Sequence, residues 1–334
     1  MRLLFGSDTL LVLAYLLISL VMFCFFYGGL TNNVSQVDRL WSILPIFTSW
    51  MFAYVGEFSP VVVLMAFVVT LWGARLTYNF YVRGGYAMKN WVFTDEDYRW
   101  GVMRKAIPNS VCWDLFHLFF ICFFQITLII GFTTPILLVA ESDANAKPLS
   151  MYDLGFAALF LFFLAIETIA DATMNRFQAA KYALSPEERA KSDDLRIVAG
   201  FNFTGLCKYS RHPNYFSEVM QWVVLYCWGS YRIGVWKNWS LPFVVILAIL
   251  VFASTFICEP VSASKYPLYK EYQKVTSRFI PFIPIHYKRF VTMVKKSEWC
   301  VCLRVVCLAV EVVSVLSMME KRNALEGIED EFTL

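Results

Sequence analysis

Charge is scarce in this chain. Asp, Glu, Lys and Arg make up 16% of its 334 residues, against about 25% in an ordinary soluble domain. So little charge on so apolar a chain excludes disorder and coiled coil, and a net charge of +3 gives no reason to expect a nucleic-acid partner. Histidine is sparse too: His117, His212 and His286 stand far apart and none belongs to an HExxH pair, so no zinc site is expected. No alternating strand pattern occurs and no GxGxxG follows one, which excludes a membrane barrel and a Rossmann cofactor site. Gly200 and Gly205 have the spacing of a phosphate-binding loop, but Leu206-Cys207 stands where Lys-Ser/Thr would grip the phosphate. The nine cysteines form no CxxC pair. Cys24, Cys122, Cys227 and Cys258 lie in apolar runs and read as small buried hydrophobes.

What the chain has in excess is apolar surface: 58% hydrophobic residues, 18% aromatic and a mean hydropathy of +0.55. A helix needs about 20 mostly apolar residues to cross a bilayer, and seven segments meet that length: 10–30, 40–56, 60–82, 111–140, 151–170, 215–236 and 239–258. The expected fold is all-α, a polytopic membrane protein of seven transmembrane helices with cytosolic loops. An eighth apolar stretch, 299–319, carries Arg304 and Glu311 on one face and is expected to be a C-terminal amphipathic helix. Seven spans put 21 Lys and Arg residues up to Lys296 on one side and only Arg2, Lys147, Arg232 and Lys237 on the other. Positive loops stay cytosolic, so the N-terminus is expected outside and the C-terminus in the cytosol. The first apolar run lacks a cleavage site and reads as a retained span. The chain divides into a leader and first helix (1–35), a membrane domain (36–286) and a cytosolic tail (287–334).

Ionisable groups at membrane depth are costly and usually serve a site or one another. Here they gather at the expected cytosolic ends of the helices. Asp38 opens the second span; Arg75, Tyr78 and Arg83 follow down the third; Glu167 and Asp171 lie four residues apart, on one face of the helix leaving the fifth. Plainer readings exist for each: a helix cap for Asp38, snorkelling for Arg75 and Arg83, an interfacial aromatic for Tyr78, and pairing of Glu167 and Asp171 with Arg176. The segment Arg211-His212-Pro213-Asn214-Tyr215 with Glu218 is harder to reduce to structure. Pro213 sets a helix start, where free N–H groups favour an anion. Arg211 and His212 stand just before it, and Asn214 and Glu218 share one face at i, i+4.

These residues resemble the steroid 5-alpha-reductase superfamily, in its widespread uncharacterised membrane branch. The landmarks are Val37-Asp38-Arg39-Leu40-Trp41, Leu71-Trp72-Gly73-Ala74-Arg75-Leu76, Glu96-Asp97-Tyr98-Arg99-Trp100, and Glu167-Thr168-Ile169-Ala170-Asp171. Then come Tyr209-Ser210-Arg211-His212-Pro213-Asn214-Tyr215 with Glu218, Tyr269-Lys270-Glu271-Tyr272, and Thr276-Ser277-Arg278-Phe279-Ile280-Pro281. The resemblance implies a seven-helix reductase that takes NADPH from the cytosol. It would reduce a carbon–carbon double bond conjugated to a carbonyl, in a lipid or steroid-like substrate entering from the bilayer. By analogy the membrane would be the endoplasmic reticulum.

The resemblance further implies roles. Asn214, Tyr215 and Glu218 match the superfamily's Asn-Tyr-x-x-Glu cofactor contacts, Asp171 an acidic cofactor contact, and Glu167 a position where steroid reductases tend to have Asn. Arg83 matches an Arg-Gly pair, and Arg211, His212 and Arg278 would serve the coenzyme phosphates. Asp38 stands where a Glu holds the substrate carbonyl, so Asp38 or Tyr78 is the expected proton or hydrogen-bond donor. Two departures stand out. Leu71 occupies the place of a carbonyl-binding tyrosine, and Arg211-His212-Pro213 is closer in wording to the methyltransferases of isoprenylated cysteine and phospholipid. A lipid or prenylcysteine methyltransferase using S-adenosylmethionine is therefore the alternative, and a non-catalytic lipid-binding protein a third reading.

Overall fold

The computed structural model describes residues 2–297, so the stretch 299–319 lies outside the described residues. The order is α1 (Arg2–Thr31), α2 (Gln36–Val55), α3 (Pro60–Val82), a two-stranded hairpin β1 (Met88–Lys89) and β2 (Val92–Phe93), α4 (Tyr98–Ala106) and α5 (Ser110–Phe116). A π-helical stretch His117–Phe124 joins α5 to α6 (Gln125–Ala140); α7 (Met151–Tyr182), α8 (Pro186–Ala190) and α9 (Leu195–Ala199) follow. The last four are α10 (Pro213–Ile233), α11 (Leu241–Lys265), α12 (Tyr269–Val275) and α13 (Tyr287–Ser297). Each of the seven apolar segments falls largely within helix. Among the described residues, five stretches are long and apolar enough to cross a membrane: Asp8–Thr31, Pro60–Val82, Ser110–Ala140, Met151–Tyr182 and Leu241–Lys265.

The other two segments, on α2 and α10, are less apolar for a visible reason. Half of α2 is buried, including Ser42, Thr48 and Ser49, and α10 buries Ser217, Gln221, Ser230 and Arg232. A helix that faces protein can carry polar groups that lipid would not tolerate.

The chain forms two compact units. Among the described residues, the first comprises 2–168 and Ser217–Val251, the second Ile169–Phe216 and 252–297. In the first, α2 packs on α3 and α6 through small and hydroxyl side chains. Ser42 and Thr77 share a hydrogen bond of 2.7 Å, and Thr48 and Thr133 one of 3.0 Å. Gly73 allows the α2–α3 approach: a Cβ there would lie 2.6 Å from the Ser42 carbonyl oxygen and 2.6 Å from Ile46. The centre is aromatic, with Trp222 edge-on to Trp72 at 4.7 Å and 4.1 Å from Phe132 between ring centroids. Outside it, Leu10, Tyr15, Ile18 and Phe26 of α1 are 56–70% exposed. A soluble monomer would not leave such a surface uncovered, whereas a membrane protein exposes one to lipid.

The second unit has its own small core of Phe201, Phe203, Tyr269, Tyr272, Phe290 and Val294. Gly200 ends α9 in the left-handed region (φ +83°), where glycine alone escapes a Cβ penalty. Its carbonyl receives the buried Lys181 ammonium at 2.8 Å, which also reaches the Tyr266 hydroxyl. The amphipathic α13 is a feature the sequence reading did not anticipate. Phe290 and Val294 seat it on this core, and the Tyr287 hydroxyl donates to the Phe203 carbonyl at 2.7 Å.

Candidate functional site

In the first unit, the start of α2 is stitched to the loop before α4. Asn33 donates to the carbonyls of Phe93 and Asp95, the Val34 N–H to Glu96, and the Asp97 N–H to Ser35. Arg39 donates to the carbonyls of Gly85 and Asp95 and lies 4.2 Å over the Phe93 ring. Asp97 caps α4 and grips Arg99 through both carboxylate oxygens at 2.8 Å. Two sequence landmarks, around Asp38 and around Asp97, are thus two sides of one joint.

Asp38 sits inside that joint, just ahead of the apolar run 40–56. Its Oδ2 accepts the Trp100 indole N–H at 2.7 Å. Burial pushes its carboxyl above the usual range, with the Asp97 charge adding to it; the Arg99 charge and the Trp100 and Ser35 hydrogen bonds oppose the rise. Burial acts on Asp97 in the same upward sense, but the hydrogen bonds and charge of Arg99 outweigh it and hold Asp97 below the usual range.

Deeper in the same unit, three helices meet at Glu167 of α7, which is 3% exposed. Arg75 of α3 pairs with it at 2.6 Å, and Gln221 of α10 donates to it at 2.8 Å. Gln221 was missed by sequence reasoning, although it continues the spacing of Asn214 and Glu218 down α10 at i+7 and i+3. Glu218 receives the Trp41 indole at a long 3.5 Å. Tyr78 is 69% exposed, and Arg83, the residue after α3, is exposed. A separate cluster at the other end of α10 also went unforeseen. Buried Asp153 accepts from Trp228 at 2.8 Å and from Arg232 at 3.2 Å, while Arg232 binds the carbonyls of Ala144 and Lys147.

The second unit holds the rest. Asn214, in the first turn of α10, donates its amide to Asp171 of α7 at 3.0 Å. The segment before α10 lies along the segment after α12: the Arg211 N–H donates to the Ser277 carbonyl, the Ser210 hydroxyl to Phe279, and the Phe282 N–H to Tyr209. The landmarks 209–215 and 276–281 are therefore structurally one.

At their junction lies Glu259 of α11, its side chain 2% exposed. Arg211 holds it with Nε at 2.7 Å and Nη2 at 3.1 Å, His212 Nε2 lies 3.1 Å away, Gln273 donates at 2.8 Å and Arg278 stands at 3.3 Å. Arg211 also donates to the carbonyls of Gln273 and Thr276. It is largely committed to the fold, whereas sequence reasoning gave it to a phosphate. Tyr215 stacks on His212 with centroids 5.3 Å apart. Two guanidiniums face one carboxylate, and Arg278, 29% exposed over the Phe256 ring, carries the more accessible positive charge.

Comparison with known proteins now bears on this arrangement. Residues 24–276 match the model of a family described as a protein of unknown function, DUF1295. The chain belongs to the DUF1295 family. It is also 36% identical over 259 residues to an uncharacterized protein of Schizosaccharomyces pombe, covering 75% of this chain and 73% of that one. No solved structure matches it. The family match takes in the Asp38 joint, the Glu167 group and the Asp171–Asn214 pair, and it ends as α12 passes into the segment holding Arg278.

Proposed function

We propose that this protein is a seven-span membrane reductase that uses NADPH to reduce a carbon–carbon double bond conjugated to a carbonyl in a lipid or steroid-like molecule. The observation that carries the reading is the Asp171–Asn214 hydrogen bond at the start of α10. It joins two residues that the resemblance to steroid 5-alpha-reductases independently names as coenzyme contacts. The relation of the DUF1295 family to steroid 5-alpha-reductase-like membrane proteins supports it.

The donor set of the second unit fits a phosphorylated coenzyme. A carboxylate–amide pair suits neutral amide and hydroxyl groups, and the surplus positive charge around Glu259 suits phosphate. Asp171 and Asn214 would hold the coenzyme's polar groups, Arg278 and His212 its phosphates, and Arg211 would fix the segment that carries them. When bound, NADPH supplies the hydride that goes to the β carbon. In the first unit, Asp38 is the group suited to meet negative charge on a carbonyl oxygen, because burial favours its protonated, donating form. Tyr78 is the second candidate. The positive loops face the cytosol in this reading, and the lipid-reductase analogy places the protein in the endoplasmic reticulum.

One observation favours a second reading. The Arg211-His212 pair clamped on Glu259 carries the wording of the isoprenylcysteine and phospholipid methyltransferases, which would make the coenzyme S-adenosylmethionine. Purified protein in lipid nanodiscs, given NADPH and a panel of enone and enoyl lipids, separates the two. The reductase reading expects NADPH oxidation that is abolished by Asn214→Ala while the protein stays folded. Unchanged turnover in that variant rules out this site.

A further inference from the structure

An apolar prow and a basic helix in the second unit account for nothing above. From Tyr272 to Ser297 the chain has six Lys and Arg residues and no Asp or Glu. Within this stretch Ile280, Phe282, Ile283 and Ile285 are 64–82% exposed. They are not loosely held, since the backbone beneath them is tied down by the bonds from Ser210 to Phe279 and from Phe282 to Tyr209. Four large apolar side chains are thus fixed outward in six residues.

The next element supplies the charge. In α13 the apolar face, Phe290 and Val294, is already buried against protein, so this helix cannot lie apolar side down in lipid. It presents Lys288, Arg289, Lys295 and Lys296 instead, all exposed. Among the described residues none of these four has an acidic partner. A shallow groove of about 440 Å³ borders the prow, with Lys274 and His286 among its lining beside Ile280 and Phe282.

We propose that this surface docks on the anionic leaflet of the membrane, the prow entering the acyl region while the basic face of α13 lies against the headgroups. Charge complementarity selects this occupant. Apolar insertion alone would suit any lipid or an apolar protein groove, whereas four exposed cations without an acidic partner among the described residues suit a negatively charged surface. The inference rests on the membrane character of the chain and not on the reductase reading.

The test uses the full chain in nanodiscs of seven parts phosphatidylcholine to three parts phosphatidylserine, with the photo-crosslinking residue p-benzoylphenylalanine at position 283. Mass spectrometry should find a phospholipid adduct at position 283. Its yield should fall about ten-fold in pure phosphatidylcholine, and likewise in the variant with Lys288, Arg289, Lys295 and Lys296 all changed to Gln, given the attraction of basic residues to anionic leaflets. The same label at Phe123, in the apolar stretch Ser110–Ala140, reports that each preparation is folded and embedded. With that control labelled by lipid, absence of a lipid adduct at 283 overturns the proposal. So does an adduct whose yield ignores both the lipid charge and the four substitutions.

Discussion

Glu259→Ala should destabilise the second unit strongly. The carboxylate is 2% exposed and its main partner Arg211 6%. The substitution leaves that guanidinium buried, with Nε and Nη2 both stripped of their acceptors, and leaves His212 and Gln273 short of a partner as well. Breaking a buried pair by removing one member costs about 3–5 kcal/mol, because the stranded charge keeps its desolvation penalty. At about 2–4 °C per kcal/mol, the melting temperature should fall by about 6–20 °C. Tryptophan fluorescence during heating in detergent reads it. The double variant Arg211→Met with Glu259→Leu is the sharper control, since replacing both partners by apolar groups of similar size is often near neutral. It should melt well above the single variant. A fall of less than about 2 °C in Glu259→Ala would correspond to under 1 kcal/mol and would refute the claim that this ion cluster holds the segments around Arg211 and Arg278 in place.

Other outcomes follow from the same geometry. Gly73→Ala should cost about 1–3 kcal/mol by forcing α2 and α3 apart, because the new Cβ meets backbone oxygen of Ser42; chemical or thermal unfolding measures it. Asp38→Asn should fold normally, its amide oxygen still accepting from Trp100, while Asp38→Ala orphans that indole N–H at a cost of about 1–3 kcal/mol. In the enone assay both should lower turnover more than they raise KM. The caps at Asp97 and Asp194 give a pH test. Arg99 holds Asp97 below its usual range despite burial, and the Arg196 hydrogen bond holds Asp194 down. A lowered carboxylate contributes stability that is complete above the unfolded value near pH 4 and is lost as pH falls through the lowered folded value. The protection factors of the Arg99 and Arg196 amides, taken against the intrinsic exchange rate at each pH, should therefore fall only below about pH 4, and a fall already at pH 6 would contradict it.

The helices were legible because apolar length is a strong signal, and the family landmarks marked the polar joints. Their internal wiring was not legible. Glu167 and Asp171 share a helix face as spacing requires; Arg75 and Gln221 meet Glu167, and Asn214 meets Asp171. Helical periodicity places residues on a face but cannot say which neighbouring helix covers each turn. Arg211 looked like an anion grip because it precedes a helix start. Its commitment to Glu259 depends on a contact 48 residues away, which no local pattern encodes. In sequence Arg232 reads only as one of four charges on the outer side, and it is buried on Asp153. The amphipathic α13 was hidden by its cations, which read as a solvated tail until Phe290 and Val294 are seen to be covered.

The central claim is that residues around Asp171 and Asn214 hold a phosphorylated nicotinamide coenzyme. Titrating purified protein in detergent with NADPH, NADH and S-adenosylmethionine side by side, while following the melting temperature, tests it most directly. Saturable stabilisation by NADPH that disappears in Asn214→Ala is the predicted result; stabilisation by S-adenosylmethionine alone, or NADPH stabilisation undiminished in that variant, would contradict it.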